Sequence, residues 1–371
     1  FEFAINVLND VVVKSSGGVT QTTTPTQDAT ILTTVANASF KLLNEVLTWD
    51  FSPFDLRSVL RRASSKPSKK DLPAIIVTSN EYWRRALTNP SLITPVIHLH
   101  EQFRHDRLMP HLTLHSLVQL CSVSRRCFFD DQSCLQFIPH IMTGIFRLLQ
   151  QPLSGNSVTA GHEIYHLALC IFRVVGNFGI GMMVQVPNCA DILKHLSAVT
   201  IQVTRTSAFN YDEWYFDAME HLLDTWSIIV SSIESSVMTI PPDAIALITN
   251  CSTSIFAAYL ESRLKFGTSN TGAKSYGGGD DGDGDDEDED DSQKLEEQLT
   301  CLGVLARQDP GQTLSMLRER LLERLNVLQQ VLNSNNTAQC ELLWNDLDTI
   351  LQLIGYVLAD DDEGETPVIP H

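Results

Sequence analysis

Hydrophobic residues recur along this chain at intervals of three and four, the spacing that places them on one face of an α-helix. The pattern is clear from Ile31 to Leu47 and again from Leu314 to Leu332. Alternating patterns typical of β-strands are nearly absent. Proline and glycine interrupt the helical pattern at Pro187, Pro241–Pro242 and Pro310–Gly311, where helices are expected to end. The sequence therefore predicts an all-α protein.

The predicted helices fall into successive pairs, which begin roughly 40 to 70 residues apart, close to the period of HEAT and armadillo arrays once loop insertions are allowed. We therefore predict a HEAT-like superhelix, an α-α solenoid, as one continuous array over residues 1–371. A basic, proline-containing loop at 51–72 and an acidic loop at 267–292, inserted within one repeat, interrupt it. The predicted pairs are 91–104 with 110–122, 132–151 with 162–178, 189–206 with 212–233, 241–265 with 293–307, and 311–332 with 337–358.

The distribution of charge along the chain singles out one segment of the predicted array. The net charge of −19 argues against nucleic acid as the main partner, because phosphate binding needs clustered Lys and Arg. The basic loop at 51–72 could be a targeting or nucleic-acid patch, but the favoured interpretation is a solvated loop between helices, which needs no special role. Ten acidic residues, equal to more than half of this net charge, lie in one window, 280–291, which follows three glycines.

Like charges at this density repel one another and cannot bury apolar surface, so the acidic loop is predicted to be disordered. Two interpretations stay open: a solubilising insertion, or a flexible arm that attracts a basic protein partner. The candidate partner-binding residues are Asp280, Asp281, Asp283, Asp285, Asp286, Glu287, Asp288, Glu289, Asp290 and Asp291.

One motif points to catalysis. His162-Glu163-Ile164-Tyr165-His166 has the His-Glu-x-x-His pattern, in which two histidines on one helix face bind zinc and the glutamate acts as general base. The glycine and third histidine of the metzincin extension do not follow, and the next acidic candidate, Asp191, lies beyond Pro187. A zinc metallopeptidase is thus a remote alternative, and we predict no catalytic residue, metal or cofactor.

Other candidate features have structural explanations. The glycines from Gly176 to Gly181 more plausibly end a helix than bind phosphate, because no strand precedes them. The apolar stretch Ile164–Val186 contains Arg173 and is predicted to be a buried helix, not a membrane span. The eight scattered cysteines favour a reducing compartment. Helix-surface positions are predicted for His98, His100, His105, His111 and His115.

Four stretches resemble nuclear transport receptors of the importin-β superfamily, most closely the exportin-4 group, and exportin-7-like receptors share parts of the resemblance. They are the Leu-Asn-Glu-Val-Leu-Thr-Trp-Asp-Phe sequence at 43–51, the 212–226 segment with its two tryptophans, the acidic run followed by 298–307, and Gly364–Pro370 after the Trp344 helix. Such receptors are much longer than this chain, so the resemblance implies an internal fragment that lacks both ends. His-Glu-x-x-His is not a motif of this family.

The resemblance implies a nuclear export receptor that shuttles between nucleus and cytoplasm and performs no catalysis. It would bind protein cargo together with the GTP-bound small GTPase Ran and contact nuclear pore proteins, without membrane insertion. Family cargoes include translation initiation factor 5A and SMAD-type transcription factors. The alternative interpretation is a generic helical-repeat scaffold with other protein partners.

Overall fold

The computed structural model describes residues 2–16, 25–48, 81–106, 108–150, 158–207, 213–236, 240–269, 285–332 and 337–359. Within these ranges the regular structure consists of helices, and the predicted all-α, helical-repeat class is confirmed. The predicted basic loop at 51–72 lies outside the described residues. The chain divides into two compact units, residues 1–192 and 193–371.

The first unit is built from two layers of helices. α1 (Glu2–Ser16), α4 (Ile93–Phe103) and α6 (Asp131–Gln150) stack on one another, and α2 (Pro25–Leu47), α5 (Met109–Cys121) and α7 (Val158–Phe178) form the second layer against them. This is the contact pattern of stacked helical hairpins. The remaining elements are α3 (Glu81–Leu87), α8 (Ile180–Met183) and 3₁₀-helices at Pro90–Leu92 and Arg125–Cys127.

The second unit repeats this arrangement. α10 (Glu213–Ser236), α12 (Asp285–Ala306) and α14 (Thr337–Leu358) stack in one layer, and α11 (Pro242–Ser269) and α13 (Pro310–Leu332) lie in the other. The division between the units falls inside α9 (Cys189–Ser207). Trp226 is fully buried and its indole N–H donates to the Thr200 hydroxyl (3.0 Å), which joins α10 to α9.

Amphipathic periodicity explains the packing of individual helices. In α6 the buried residues are Cys134, Phe137, Ile138, Ile141, Met142, Ile145 and Leu148, among others, a stripe of three-and-four spacing along one face. Burial of such a stripe is the main force that holds a helix in a stack, since a helix of this length is marginal alone.

The glycine-rich stretch ends a helix, as predicted. α7 stops at Phe178, and Gly179 has φ of 71°, a backbone conformation that favours glycine. The apolar stretch Ile164–Val186 is therefore divided between α7 and α8. A different helix, Pro242–Leu264 within α11, is long and apolar enough to cross a membrane by length and composition, and half of its apolar window is buried inside the fold.

Candidate functional site

The structure revises the boundaries of the predicted acidic loop. Asp280, Asp281 and Asp283 lie outside the described residues, but Asp285–Asp291 form the first turns of α12, and α11 extends to Ser269. The prediction of a continuous disordered loop over 267–292 was wrong at both ends. Carboxylates are favoured at a helix N-terminus by the unpaired backbone N–H groups there, and the packed remainder of α12 supports the helical turns.

The packed part of α12 is anchored through one buried amide. The Gln298 side chain accepts hydrogen bonds from Arg263 (2.9 Å) and from the Tyr259 hydroxyl (3.3 Å), both on α11. Its amide nitrogen donates to Glu220 of α10 (3.3 Å). Gln298 thus connects three helices and fixes the position from which the acidic turns of α12 extend.

α10 contributes further carboxylates to this region. Asp217, Glu220 and Asp224 are spaced three and four residues apart, which places them on one face of α10. Asp224 accepts a hydrogen bond from the Cys301 thiol of α12 (3.4 Å). Burial, together with this neighbouring carboxylate, raises the pKa of Cys301 well above its ordinary value, so the thiol stays protonated.

These contacts set the direction of the acidic turns. Residues 220 and 224 of α10 meet residues 298 and 301 of α12, so the two helices run in the same direction. Counting back along both, Glu213 at the start of α10 is level with Asp291. The turns before Asp291 therefore extend beyond the start of α10 by about 9 Å, at about 1.5 Å per residue. The α10 face of Asp217, Glu220 and Asp224, which sequence reasoning missed, thus packs beside the later part of the helix whose first turns carry the predicted acidic residues.

The His-Glu-x-x-His motif has a structural role. Glu163 is buried on α7, and its carboxylate oxygens lie 2.6 and 2.8 Å from nitrogens of Arg104, the residue that follows the end of α4. His100 Nε2 lies 3.3 Å from the same carboxylate. Burial opposes ionisation of Glu163, but His100 and Arg104 together hold its pKa below the ordinary value. A carboxylate held this way is not placed to act as the base of a peptidase.

The Glu163 network ties together four helices of the first unit. Thr113 of α5 lies 2.7 Å from His100 Nδ1, and Arg104 also donates to the Leu148 carbonyl in the last turn of α6 (3.1 Å). Thr113, His100 and Glu163 form a hydroxyl–imidazole–carboxylate chain, but all three are buried, so no substrate reaches them. His100 was predicted on a helix surface; it is buried instead, because it satisfies Glu163 and Thr113.

The two histidines of the motif belong to a separate cluster. The rings of His162 and His166 have centroids 4.2 Å apart, and His111 of α5 lies 5.8 Å from His162 and 6.4 Å from His115. His166 Nδ1 contacts the His162 carbonyl (2.8 Å). Among the described residues, no three His, Cys, Asp or Glu side chains are arranged to hold a metal ion. The spacing within each pair was visible in the sequence, but their meeting across two helices was not.

The cysteines are unpaired. All eight are free thiols, seven of them buried and Cys340 half-buried. Burial raises the pKa of Cys134 and of Cys189 to about 11 in each case, so these thiols are protonated at neutral pH. Protonated, buried thiols are poor nucleophiles and poor metal ligands, which leaves them a packing role.

Comparison with known proteins identifies a family whose model matches this chain. The family model described as Exportin-4 matches residues 6–371. Exportin-7-A of Xenopus laevis is 22% identical over 321 residues, which cover 86% of this chain and 26% of that protein. Exportin-4 of Dictyostelium discoideum is 19% identical over 309 residues, covering 76% of this chain and 26% of that protein. The chain thus spans about a quarter of the length of these curated relatives.

Proposed function

Because this chain belongs to the exportin-4 family, we propose that it is part of a nuclear export receptor. The receptor binds protein cargo together with GTP-bound Ran, carries it past nuclear pore proteins, and returns after GTP hydrolysis. The observation that carries this proposal is the match of the family model to nearly the whole chain. Shuttling between nucleus and cytoplasm follows from the same activity.

The described helices suit such a receptor. Stacked hairpins offer long surfaces for protein partners, and small changes between neighbouring helices add up along a stack. Transport requires linkage between the cargo and Ran sites and no bond-making step, since the gradient of Ran nucleotide state supplies direction. Candidate cargoes are translation initiation factor 5A and SMAD-type factors.

The deciding experiment measures that linkage. The receptor extended to its natural termini is immobilised and exposed to cell lysate with Ran locked in its GTP form, with Ran-GDP, or with neither. Cargo retained only with Ran-GTP supports an export receptor. Cargo retained equally in all three conditions overturns the proposal and favours a general helical-repeat scaffold.

The acidic residues of the second unit are proposed to attract a basic partner of this receptor. Seven of the first residues of α12 are Asp or Glu, and Asp217, Glu220 and Asp224 lie on the helix that packs beside it. Clustered charge of one sign accelerates encounter with a partner of the opposite sign. Exposed interactions of this kind weaken with salt, because screening acts within about 8 Å at physiological ionic strength.

Matched variants test this acidic region. Asp285→Asn, Asp286→Asn and Glu287→Gln together remove three charges, and Asp360→Asn, Asp361→Asn and Asp362→Asn remove three elsewhere in the same unit. We expect the first triple variant to lower the association rate of a captured basic partner several-fold at low salt, and the second to have little effect. Equal rates for both variants and for the unaltered protein would leave the α12 carboxylates a solubilising role only.

A further inference from the structure

The two i, i+4 histidine pairs of the first unit meet between α5 and α7. His111 and His115 lie on α5, and His162 and His166 on α7, with centroid separations of 4.2 to 6.4 Å between neighbouring rings. His111 is exposed and the other three are half-buried. Four imidazoles at this spacing pack well while neutral, but each added proton repels the next.

We propose that His111, His115, His162 and His166 form an acid-sensitive joint between α5 and α7, which opens locally when the imidazoles become protonated. The proposal is argued from the geometry of the four rings and does not depend on the proposed function. Its consequence is a first unit that loosens at mildly acidic pH while the hairpins of the second unit stay packed.

Charged neighbours on the two helices act in opposite directions: Arg173 opposes a proton on His115, and Glu163 favours a proton on His162 less strongly than burial and His111 oppose it. The Arg173 guanidinium of α7 donates to the Ser122 hydroxyl (2.5 Å) and to the Val118 carbonyl (3.3 Å), and its positive charge opposes a proton on His115. Glu163 is the carboxylate beside His162, but its charge is shared by Arg104 and His100. Tyr165 contacts the His166 ring edge-on at 5.0 Å.

The adjoining helices add no carboxylate among the contacts observed. From α2, the uncharged Asn44 reaches α5, donating to the Leu112 carbonyl (3.2 Å) and accepting from Ser116 (2.5 Å). His100 of α4 and Arg104, which follows the end of α4, face Glu163. Because the pKa of Glu163 is lowered, it stays ionised throughout the mildly acidic range and does not drive opening there.

Burial of the imidazoles explains why acid should open the joint and not close it. Desolvation lowers the pKa of His115 and of His162, with His111 adding repulsion in both cases. Desolvation also lowers the pKa of His166 to about 4. When the joint opens, the histidine pKa values return to about 6.5. As the pH falls, the opened state therefore binds protons before the closed state does. The closed joint therefore has its full stability above about pH 6.5 and loses it as pH falls toward 4.

Two thiols report the opening. Cys121 on α5 and Cys170 on α7 are fully buried, and burial together with the neighbouring Cys170 raises the pKa of the Cys121 thiol. Asn177 of α7 also donates to the Cys121 carbonyl (3.2 Å), so these contacts depend on the same helix pair. Separation of α5 from α7 exposes both thiols to a reagent, whereas Cys251 and Cys301, buried in the second unit, serve as internal references.

The test follows thiol labelling of the 371-residue chain at pH 7.5, 6 and 5 with a pyridyl disulfide reagent that reacts in acid. Hydrogen exchange of α5 and α7, corrected for intrinsic rates, is measured alongside. We expect the opening equilibrium at Cys121 and Cys170 to rise about tenfold between pH 6 and 5. The reference thiols should change little.

Variants assign the effect to the cluster. His162→Gln with His166→Gln should flatten the pH response to less than about threefold, and His111→Gln, at an exposed position, should reduce it by a smaller factor if the double variant does not fold. His140→Gln, on the exposed face of α6, is the control. A pH-independent opening, an equal response in both units, or an equal effect of the His140 variant would overturn the proposal.

Discussion

The two units share one architecture but use charge in opposite ways. Residues 1–192 contain 16 Lys and Arg against 14 Asp and Glu, whereas residues 193–371 contain 10 against 31. The first unit places an ion pair in its core, where Arg104 and Glu163 neutralise each other. The second unit concentrates carboxylates on α10 and at the start of α12. Helix stacking therefore sets the fold, while charge placement differentiates its parts.

A buried carboxylate in each unit makes the contrast measurable. Glu163 is balanced by two partners and has a lowered pKa, whereas burial raises the pKa of Asp346 in spite of its contact with Arg324 (2.7 Å). Ionisation is thus favoured by folding in the first unit and opposed by folding in the second.

The largest expected effect comes from Glu163→Gln, which leaves Arg104 buried without a counter-ion. We expect it to lower the free energy of unfolding of the first unit by about 3–5 kcal/mol. Asp346→Asn removes a carboxylate whose ionisation folding opposes, and Arg324 keeps a contact with Glu323 (3.6 Å), so this variant should cost only about 1 kcal/mol. Urea denaturation followed by hydrogen exchange in each unit measures both.

Asp131→Asn is the control for charge alone, since Asp131 and its partner Arg125 are both about half exposed or more, at 64% and 50%. Its loss should be at most about 1 kcal/mol. Similar losses for all three variants would mean that the two units do not differ in how they hold buried charge.

The next largest loss of stability is expected where α12 and α14 approach closely in the second unit. A Cβ at Gly303 of α12 would lie 2.5 Å from the Tyr356 carbonyl oxygen of α14, which is backbone and cannot rotate away. Gly303→Ala should therefore cost about 1–3 kcal/mol in unfolding free energy. Gly355→Ala, where the added methyl meets nothing within 4 Å, should be neutral or stabilising by up to about 1 kcal/mol. Thermal unfolding of both variants makes the comparison, and a stable Gly303→Ala would contradict the close approach.

The pH dependence of the two carboxylates should differ in sign. Stability contributed by Glu163 is present above the unfolded-state pKa and is lost as pH falls through its lowered folded-state pKa. Asp346 has a raised folded-state pKa, so its protonation on acidification favours folding. The difference between the unaltered protein and Glu163→Gln should therefore shrink toward low pH. The cost of Asp346→Asn should instead grow toward low pH, because only the unaltered protein gains stability from protonation of Asp346. Denaturation at pH 7, 5, 4 and 3 measures how the stability difference between each variant and the unaltered protein changes with pH.

Salt should have the smallest effect. Repulsion among the carboxylates of the second unit is screened as ionic strength rises, whereas the first unit is nearly neutral. Raising NaCl from about 0.05 to 0.5 M should raise the unfolding free energy of the second unit by about 0.5–1 kcal/mol more than that of the first. Hydrogen exchange resolved by helix reads the difference, and an equal response would show that the carboxylates are too dispersed to repel.

The sequence predicted the fold well because helix periodicity and glycine breaks are local signals. The α7 end at Gly179 and the bounds of α13 and α14 follow the predicted ranges closely. The acidic site was predicted less well. Composition alone suggested disorder for Asp285–Asp291, but the packing of Gln298 and Cys301 against α10 is a tertiary contact, and local charge density does not report it.

The Glu163 network shows a second limit. His-Glu-x-x-His gives the spacing of two histidines on one helix, but the partner of Glu163 lies on another helix and is set by the order of the stack. The sequence around Arg104 and the sequence around Glu163 do not reveal the order in which the helices stack. For the same reason, the acidic face of α10 and the meeting of the two histidine pairs became visible only with the helices in place.

The distance in sequence between Arg104 and Glu163 has a consequence for synthesis. The two residues are separated by 59 positions, so Arg104 leaves the ribosome well before its carboxylate partner exists. At about 5–20 residues per second, the delay is roughly 3 to 12 seconds. During that interval α4 and α5 can pair through their apolar faces, while the guanidinium stays hydrated. Arrival of α7 then completes the ion pair and dehydrates it, which makes this contact a late step that closes the first unit as translation proceeds.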